Sequence, residues 1–169
     1  MIIAPRSAEY WQAFEFAHSA FRWEGLQVYE DEAVAAFLAG EPKPAMPSKE
    51  RWVARVRSAR ELGKVMARVH GVQEPLTDYL RYELEWSYPP NVAAGEDIRI
   101  SPAWSTGIRD FWLFDSRTLL WLNYNDSGHL VSAELDGDPD AIVQANFWRD
   151  HVMHAGVPLH DYMREKLAA

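Results

Sequence analysis

The sequence predicts an α+β fold: a single domain over residues 1–169, with one mixed or mainly antiparallel sheet of about five strands, helices covering it and a helical C-terminus. Three observations carry this. Segments with apolar residues at three- and four-residue spacing alternate with segments of period two, as helices and strands require. The strongest strand signals crowd into the middle of the chain, after and before helical stretches. At 169 residues the chain suffices for one continuous core, and it has no cysteine to staple one.

Taken in order, Ser7 is placed to cap a helix running to Ala20, with Tyr10, Phe14, Ala17 and Phe21 on one face. Phe21 to Tyr29 alternates in part and reads as a strand. A short helix from Asp31 stops at Gly40, and Glu41 to Pro47 is held extended by three prolines. Ser48 opens a helix over Lys49 to Leu62, closed by Gly63. Lys64 to Val72 is a strand with Val65, Ala67 and Val69 on one side and Met66, Arg68 and His70 on the other. A helix from Pro75 to about Trp86 follows, then a Pro/Gly-punctuated loop from Ser87 to Gly95. Glu96 to Ser101, Asp110 to Phe114, Thr118 to Tyr124 and His129 to Leu135 read as strands, the last two joined by an Asn125–Gly128 hairpin turn. Pro139 to His154 and Leu159 to Leu167 are helical.

Composition excludes several functions. Without cysteine there is no thiolate nucleophile, redox pair or Cys-ligated metal. A net charge of −8 disfavours direct binding of nucleic acid or anionic membrane, both polyanions. No window approaches the roughly 18 apolar residues of a membrane span, and no signal-peptide pattern opens the chain, so a cytoplasmic location is expected. Charge is uneven: Lys43 to Arg68 holds eight basic residues against Glu50 and Glu61, whereas Gln73 to Asp140 is strongly acidic. Two attracting faces, solvated surface, or a nucleic-acid patch using Arg51, Arg55 and Arg68 are all compatible with that asymmetry. The phosphate-binding glycine loops, the GxSxG elbow and the HExxH zinc motif are absent.

What remains are constellations. His151 and His154, with Asp150, His160 and Asp161, could ligate a metal or simply end an amphipathic helix; no metal and no cofactor is expected. In the run from Asp78 to Arg99, Glu83 falls on the apolar stripe of its helix and therefore needs a cation, with Arg68 and Arg99 as candidates. Tyr79, Arg81, Tyr82, Trp86, Asn91 and Arg99, with Trp112 and Trp121 of the aromatic strands, form the candidate ligand-binding set. If the domain is an enzyme, Glu83, Asp97 and His70 are its candidate acid–base groups. The same residues also read as a structural ion-pair lock, and the ladder Phe111–Phe114 with Trp121–Tyr124 as core packing or an aromatic-walled groove; the eight tryptophans, Trp104 among them, suit cores, interfaces and stacking pockets alike.

The run from Glu74 to Trp86, the run from Asn91 to Arg99 and Trp112 to Arg117 resemble a family of uncharacterised bacterial domains, a similarity extending from Phe16–Arg22 to Val157–Tyr162. Members of that family are often encoded beside helix-turn-helix regulators, which implies a regulatory or ligand-binding role without catalysis, the partner being a protein or a small molecule. Leu113 to Tyr124 is also similar to degenerate phospholipase-D-like domains. The HxKxxxxD motif of that group is missing here, because His70 is followed by Gly71 and Val72. The alternative is a small enzyme acting on a polar or aromatic metabolite through a buried Glu–Arg/Asp cluster.

Overall fold

The chain runs β1 (Ile2–Ile3), α1 (Ala8–Gln12), β2 (Ser19–Glu24), α2 (Val34–Leu38), α3 (Pro47–Glu61), β3 (Val65–Val72), α4 (Asp78–Tyr82), a π-helical turn (Glu83–Ser87), α5 (Tyr88–Ala94), β4 (Asp97–Pro102), β5 (Phe111–Phe114), β6 (Thr118–Tyr124), β7 (Leu130–Asp136), α6 (Pro139–Ala155), β8 (Val157–Pro158) and α7 (Leu159–Ala168). This is a computed structural model that describes residues 1–102 and 107–168; Trp104 lies outside them.

Among the described residues the strands form one mixed sheet of eight, in the order β1-β7-β6-β5-β2-β3-β4-β8. The expectation of about five strands is therefore corrected to eight, while the α+β class holds. The two-residue edge strands β1 and β8 are too short for any period-two pattern; β1 pairs with β7 and β8 with β4 through their backbones. The central strands β2, β3 and β4 are mutually parallel, and the other pairs are antiparallel.

Alternation along the strands divides the core. One face carries Ala20, Met66, Trp112, Phe114, Leu120 and Leu122, packed against Tyr10 of α1, Phe14 just beyond it, and Val56 and Ala59 of α3. The opposite face carries Phe21, Trp23, Val69, Phe111, Leu119 and Trp121 beneath α6, which contributes Ala145 and Val152. Both faces being covered, β2 is buried at almost every position.

The strand expected over Phe21–Tyr29 runs instead over Ser19–Glu24, α3 starts at Pro47 without a side-chain cap from Ser48, and two further departures have identifiable causes. The helix expected to reach Ala20 ends at Gln12, because the Asp115 carboxylate accepts hydrogen bonds from three successive amides, Ala17, His18 and Ser19, at 2.7, 2.7 and 2.9 Å. That capture draws the chain out of the helix and into β2. Conversely, the expected loop from Ser87 to Gly95 is helical. Pro89 and Pro90 lack N–H groups, so they sit tolerably in the first turn of a new helix, α5, and the junction widens into a π turn in which the Tyr88 amide reaches back to Glu83 O. The Trp86 carbonyl, which Pro90 cannot serve, accepts from Lys43 Nζ at 2.8 Å.

At the Asn125–Gly128 turn the backbone of Val28 and Tyr29 lies against Gly128, whose φ is +79°; a Cβ there would stand 2.6 Å from Val28 O. Gly128→Ala is expected to cost about 1–3 kcal/mol in urea unfolding through strain and displacement of that segment. Gly137→Ala, with nothing within 4 Å of the added methyl, should change stability by less than about 0.5 kcal/mol.

Candidate functional site

On the face covered by α1 and α3, β2 and β3 do not finish as hydrophobic strands. Arg22 stands in register with Arg68, and Glu24 with His70, four titratable side chains aimed the same way from two adjacent strands. Like charges side by side on a sheet repel, so their burial demands intervening anions. Glu24 supplies the first: its Oε1 accepts from Arg68 at 2.6 Å and lies 3.6 Å from Arg22 Nε. Asp110, just before β5, binds Arg22 Nη2 at 2.8 Å on one flank, and Glu96 binds Arg68 Nε at 2.8 Å on the other. The result is a row, Asp110, Arg22, Glu24, Arg68, Glu96, alternating in sign.

Each carboxylate is secured in turn. Asp110 accepts from Tyr29 Oη at 2.5 Å and from the Gly25 amide at 2.9 Å. Glu96 accepts from Trp52 Nε1 at 3.1 Å and Asn91 Nδ2 at 2.9 Å, and Asn91 Oδ1 accepts from Lys49 Nζ at 3.2 Å. Rings of Trp52, Tyr88 and Trp112 surround the Arg68 guanidinium at 5.7 to 5.8 Å.

A second branch leads from Glu24 through His70. The imidazole is fully buried; its Nε2 donates to Leu26 O at 2.6 Å and its Nδ1 to Tyr88 Oη at 2.8 Å, while Tyr88 Oη donates to Glu24 Oε2. Glu83, the first residue of the π turn, brings Oε2 to 2.9 Å from the same Nδ1, and its Oε1 accepts from Tyr79 Oη at 3.0 Å. The Nδ1 proton thus lies between Tyr88 Oη and Glu83 Oε2, and Glu83, 3% exposed, is paired with the imidazole by charge. Burial pushes the His70 pKa down, but Glu83 and Glu24 more than offset it and hold it up at about 9. Burial would raise Glu24, and Arg68, Arg22 and His70 overcome that to place it at about 2. Lys49 is lowered, chiefly by burial and then by Arg68.

Above this charged floor lies a cavity of about 590 Å³. Its walls are aromatic: Trp52 and Trp112 on one side, Tyr10 and Phe14 of the α1 region, and Tyr29, Tyr79 and Tyr124 opposite. Its rim carries Arg6, Lys49, Glu30, Asp31 and His129. A few hundred cubic ångströms lined this way is the size and character of a small-molecule site.

The sequence-derived candidates distribute unevenly around it. Glu83, Tyr79 and Trp112 line the cavity, and His70 lies directly beneath it. Asn91 stands behind the wall between Lys49 and Glu96, and Tyr82 donates to Asp31 at 2.7 Å at the rim. Trp86 packs on Phe37. Arg81 is exposed and paired with Asp78. Asp97 and Arg99 pair with each other at 3.0 Å on the opposite sheet face, where Arg99 also donates to Met153 O, and Trp121 lies on that face too, against Trp148. The cation beside Glu83 is His70, not Arg68 or Arg99: Arg68 is taken by Glu24 and Glu96. Of the basic residues weighed for nucleic acid, Arg68 is thus turned inward, while Arg51 and Arg55 are exposed on α3.

Sequence reasoning missed Arg22, Glu24, Lys49, Tyr10, Tyr29 and Trp52. A signal existed for the first two. Arg22 and Glu24 alternate with Phe21 and Trp23 just as Arg68 and His70 alternate with Ala67 and Val69, a polar face on strands whose other face is apolar.

Arg22→Met leaves Asp110 and Glu24 short of a buried cation and is expected to cost about 3–5 kcal/mol in urea unfolding. Arg81→Met, which breaks an exposed pair, should cost less than about 1 kcal/mol by the same measurement.

No curated protein matches the chain in sequence. Among solved structures it is similar to a phospholipase D family member, Nuc, from Salmonella typhimurium, with a TM-score of 0.55 and 8% identity over 94% of this chain and 95% of that one. It is also similar to NucT from Helicobacter pylori, with a TM-score of 0.50 and 9% identity over 94% of this chain and 97% of that one. At such identities the likeness is one of fold. Residues 8–164 match the profile of a family described as a domain of unknown function (DUF6879), and the chain belongs to that family.

Proposed function

We propose that the domain binds a small polar molecule with a flat or aromatic part in the cavity above Arg22, Glu24, Arg68 and Glu83, and that binding, not turnover, is its role. The observation that supports this most is the combination of aromatic walls with a floor whose charges are already paired. Such a floor recognises a polar ligand without reorganising, and the rings give it stacking surface. Lys49 Nζ, which among the described residues donates to a neutral amide at 3.2 Å, is an ammonium with hydrogen-bonding capacity left for a ligand. A regulatory use of binding, through a partner such as a helix-turn-helix protein, is supported by the family resemblance of the sequence.

One observation favours a second reading. A buried carboxylate oxygen 2.9 Å from an imidazole is an acid–base pair facing a cavity, and Glu83 with His70 could move a proton on a bound metabolite. Asp97 lies on the other face of the sheet and has no part in it. The phospholipase-D motif remains missing: both nitrogens of His70 are engaged inside the protein, and Gly71 and Val72 follow it.

The test is a thermal-shift screen of small polar aromatic compounds, followed by fluorescence titration and mass analysis of the recovered ligand. Hits are expected to be recovered unchanged, to weaken at least about tenfold in Trp52→Leu and to keep their affinity in Trp121→Leu, on the opposite face. Absence of any hit, or equal weakening in both variants, would overturn the binding reading. Conversion of a hit, abolished in Glu83→Gln, would move the assignment to the acid–base reading.

A further inference from the structure

Glu24, His70 and Glu83 come from three different elements, yet one donor atom from each converges: among the described residues, their Nδ1 and carboxylate oxygens all lie within 4.8 Å of one another. His70 Nδ1 stands 2.9 Å from Glu83 Oε2 and 3.5 Å from Glu24 Oε2. A divalent transition ion held at about 2.0–2.2 Å by nitrogen and oxygen donors separates those donors by roughly 3.3 Å, close to the spacing here, and binding one requires Tyr88 Oη, which bridges His70 Nδ1 and Glu24 Oε2, to swing aside.

We propose that Glu24, His70 and Glu83 form a site for a single divalent transition-metal ion with mixed nitrogen and oxygen ligands, of the Zn2+ or Mn2+ class, on the floor of the cavity.

The outer contacts are those such a site requires. His70 Nε2 donates to Leu26 O at 2.6 Å, which fixes the ring and directs Nδ1 to the metal. The second oxygen of each carboxylate is held from outside, Glu83 Oε1 by Tyr79 Oη at 3.0 Å and Glu24 Oε1 by Arg68 at 2.6 Å. Inside, Glu83 Oε2 and Glu24 Oε2 both face Nδ1, at 2.9 and 3.5 Å, so an ion taking the place of the Nδ1 proton meets two carboxylate oxygens at once. Charge closes as well. A dication replacing the Nδ1 proton neutralises Glu24 and Glu83 together, while Arg22 keeps Asp110 and Arg68 keeps Glu96. Glu24 and Glu83 both line the cavity, so a remaining coordination position faces it and is available to water or to a bound molecule. The imidazole nitrogen argues for a transition ion over Mg2+ or Ca2+, which take oxygen ligands.

The sequence had pointed instead, if to any metal, at His151 and His154 on α6, and otherwise to none. The experiment separates the two places. Full-length protein stripped with chelator is titrated with Zn2+ and with Co2+, with no organic compound present, so a failure here leaves the cavity-binding reading standing. One equivalent is expected to bind, with a visible Co2+ spectrum of nitrogen and oxygen ligation and a rise in Tm that saturates at 1:1. Glu83→Gln and His70→Gln should weaken that equivalent at least tenfold, and the His151→Ala, His154→Ala double variant should retain it. Absence of binding by folded wild-type protein, unchanged affinity in a folded Glu83→Gln variant, or loss in the α6 double variant would each overturn the site. Should Glu83→Gln fail to fold, the wild-type stoichiometry, Co2+ spectrum and Tm shift, with the α6 variant, decide alone.

Discussion

Two arginines stand side by side on the central parallel strands of this protein, and the Glu24 carboxylate makes that tolerable. Arg22 and Arg68 are register partners on β2 and β3, in a region where any uncompensated charge costs several kcal/mol. Glu24 lies one residue pair further along, bridges both, and hands the chain of contacts on to Tyr88 and His70. Much of the surrounding structure secures this row at its ends: Asp110 is fixed by Tyr29 and the Gly25 amide, Glu96 by Trp52 and Asn91. The aromatic rings then exclude water from charges that would otherwise be hydrated.

A packed apolar core would have stabilised the same strands at least as well, since replacing a buried ionic network by hydrophobes of similar volume is often neutral or favourable. The charges instead form the floor of an open, ring-lined cavity, where polar groups can face solvent or a bound molecule. The backbone devices nearby serve the same place. The π turn created by Pro89 and Pro90 sets Glu83 over His70. Gly128 lets the β6–β7 hairpin press on Val28 and Tyr29, the segment that forms one wall.

Most of the interior elements were legible in the sequence because each declares itself locally. β3 shows its period of two, α3 its apolar spacing and its Gly63 stop, α6 its Pro139 start, and the β6–β7 turn its Asn and Gly; the start of α3 differs, since Pro47, read as linker, opens the helix and Ser48 does not cap it. What was not legible depends on contacts distant in sequence. Asp115 ends the first helical segment from almost a hundred residues away, and β1 and β8 exist only because neighbouring strands offer them backbone partners. Glu83 was recognisable as a carboxylate on an apolar stripe, but its partner was not, because His70 reaches it across a sheet and a helix break. The polar alternation of Arg22 and Glu24 was visible and became meaningful only once β2 and β3 were known to lie side by side. Arg81, Asp97 and Arg99 were near Glu83 in sequence and stand elsewhere in space.

The account rests on Glu24 and Arg68 acting as one unit at the centre of the floor. A double-mutant cycle between Glu24→Gln and Arg68→Met, read by urea unfolding, measures that directly. Coupling well above 1 kcal/mol is expected, with the double variant losing much less than the two single losses combined. Losses that simply add, within about 0.5 kcal/mol, would mean that the two side chains are independent and that the charged floor is not the organised unit described here.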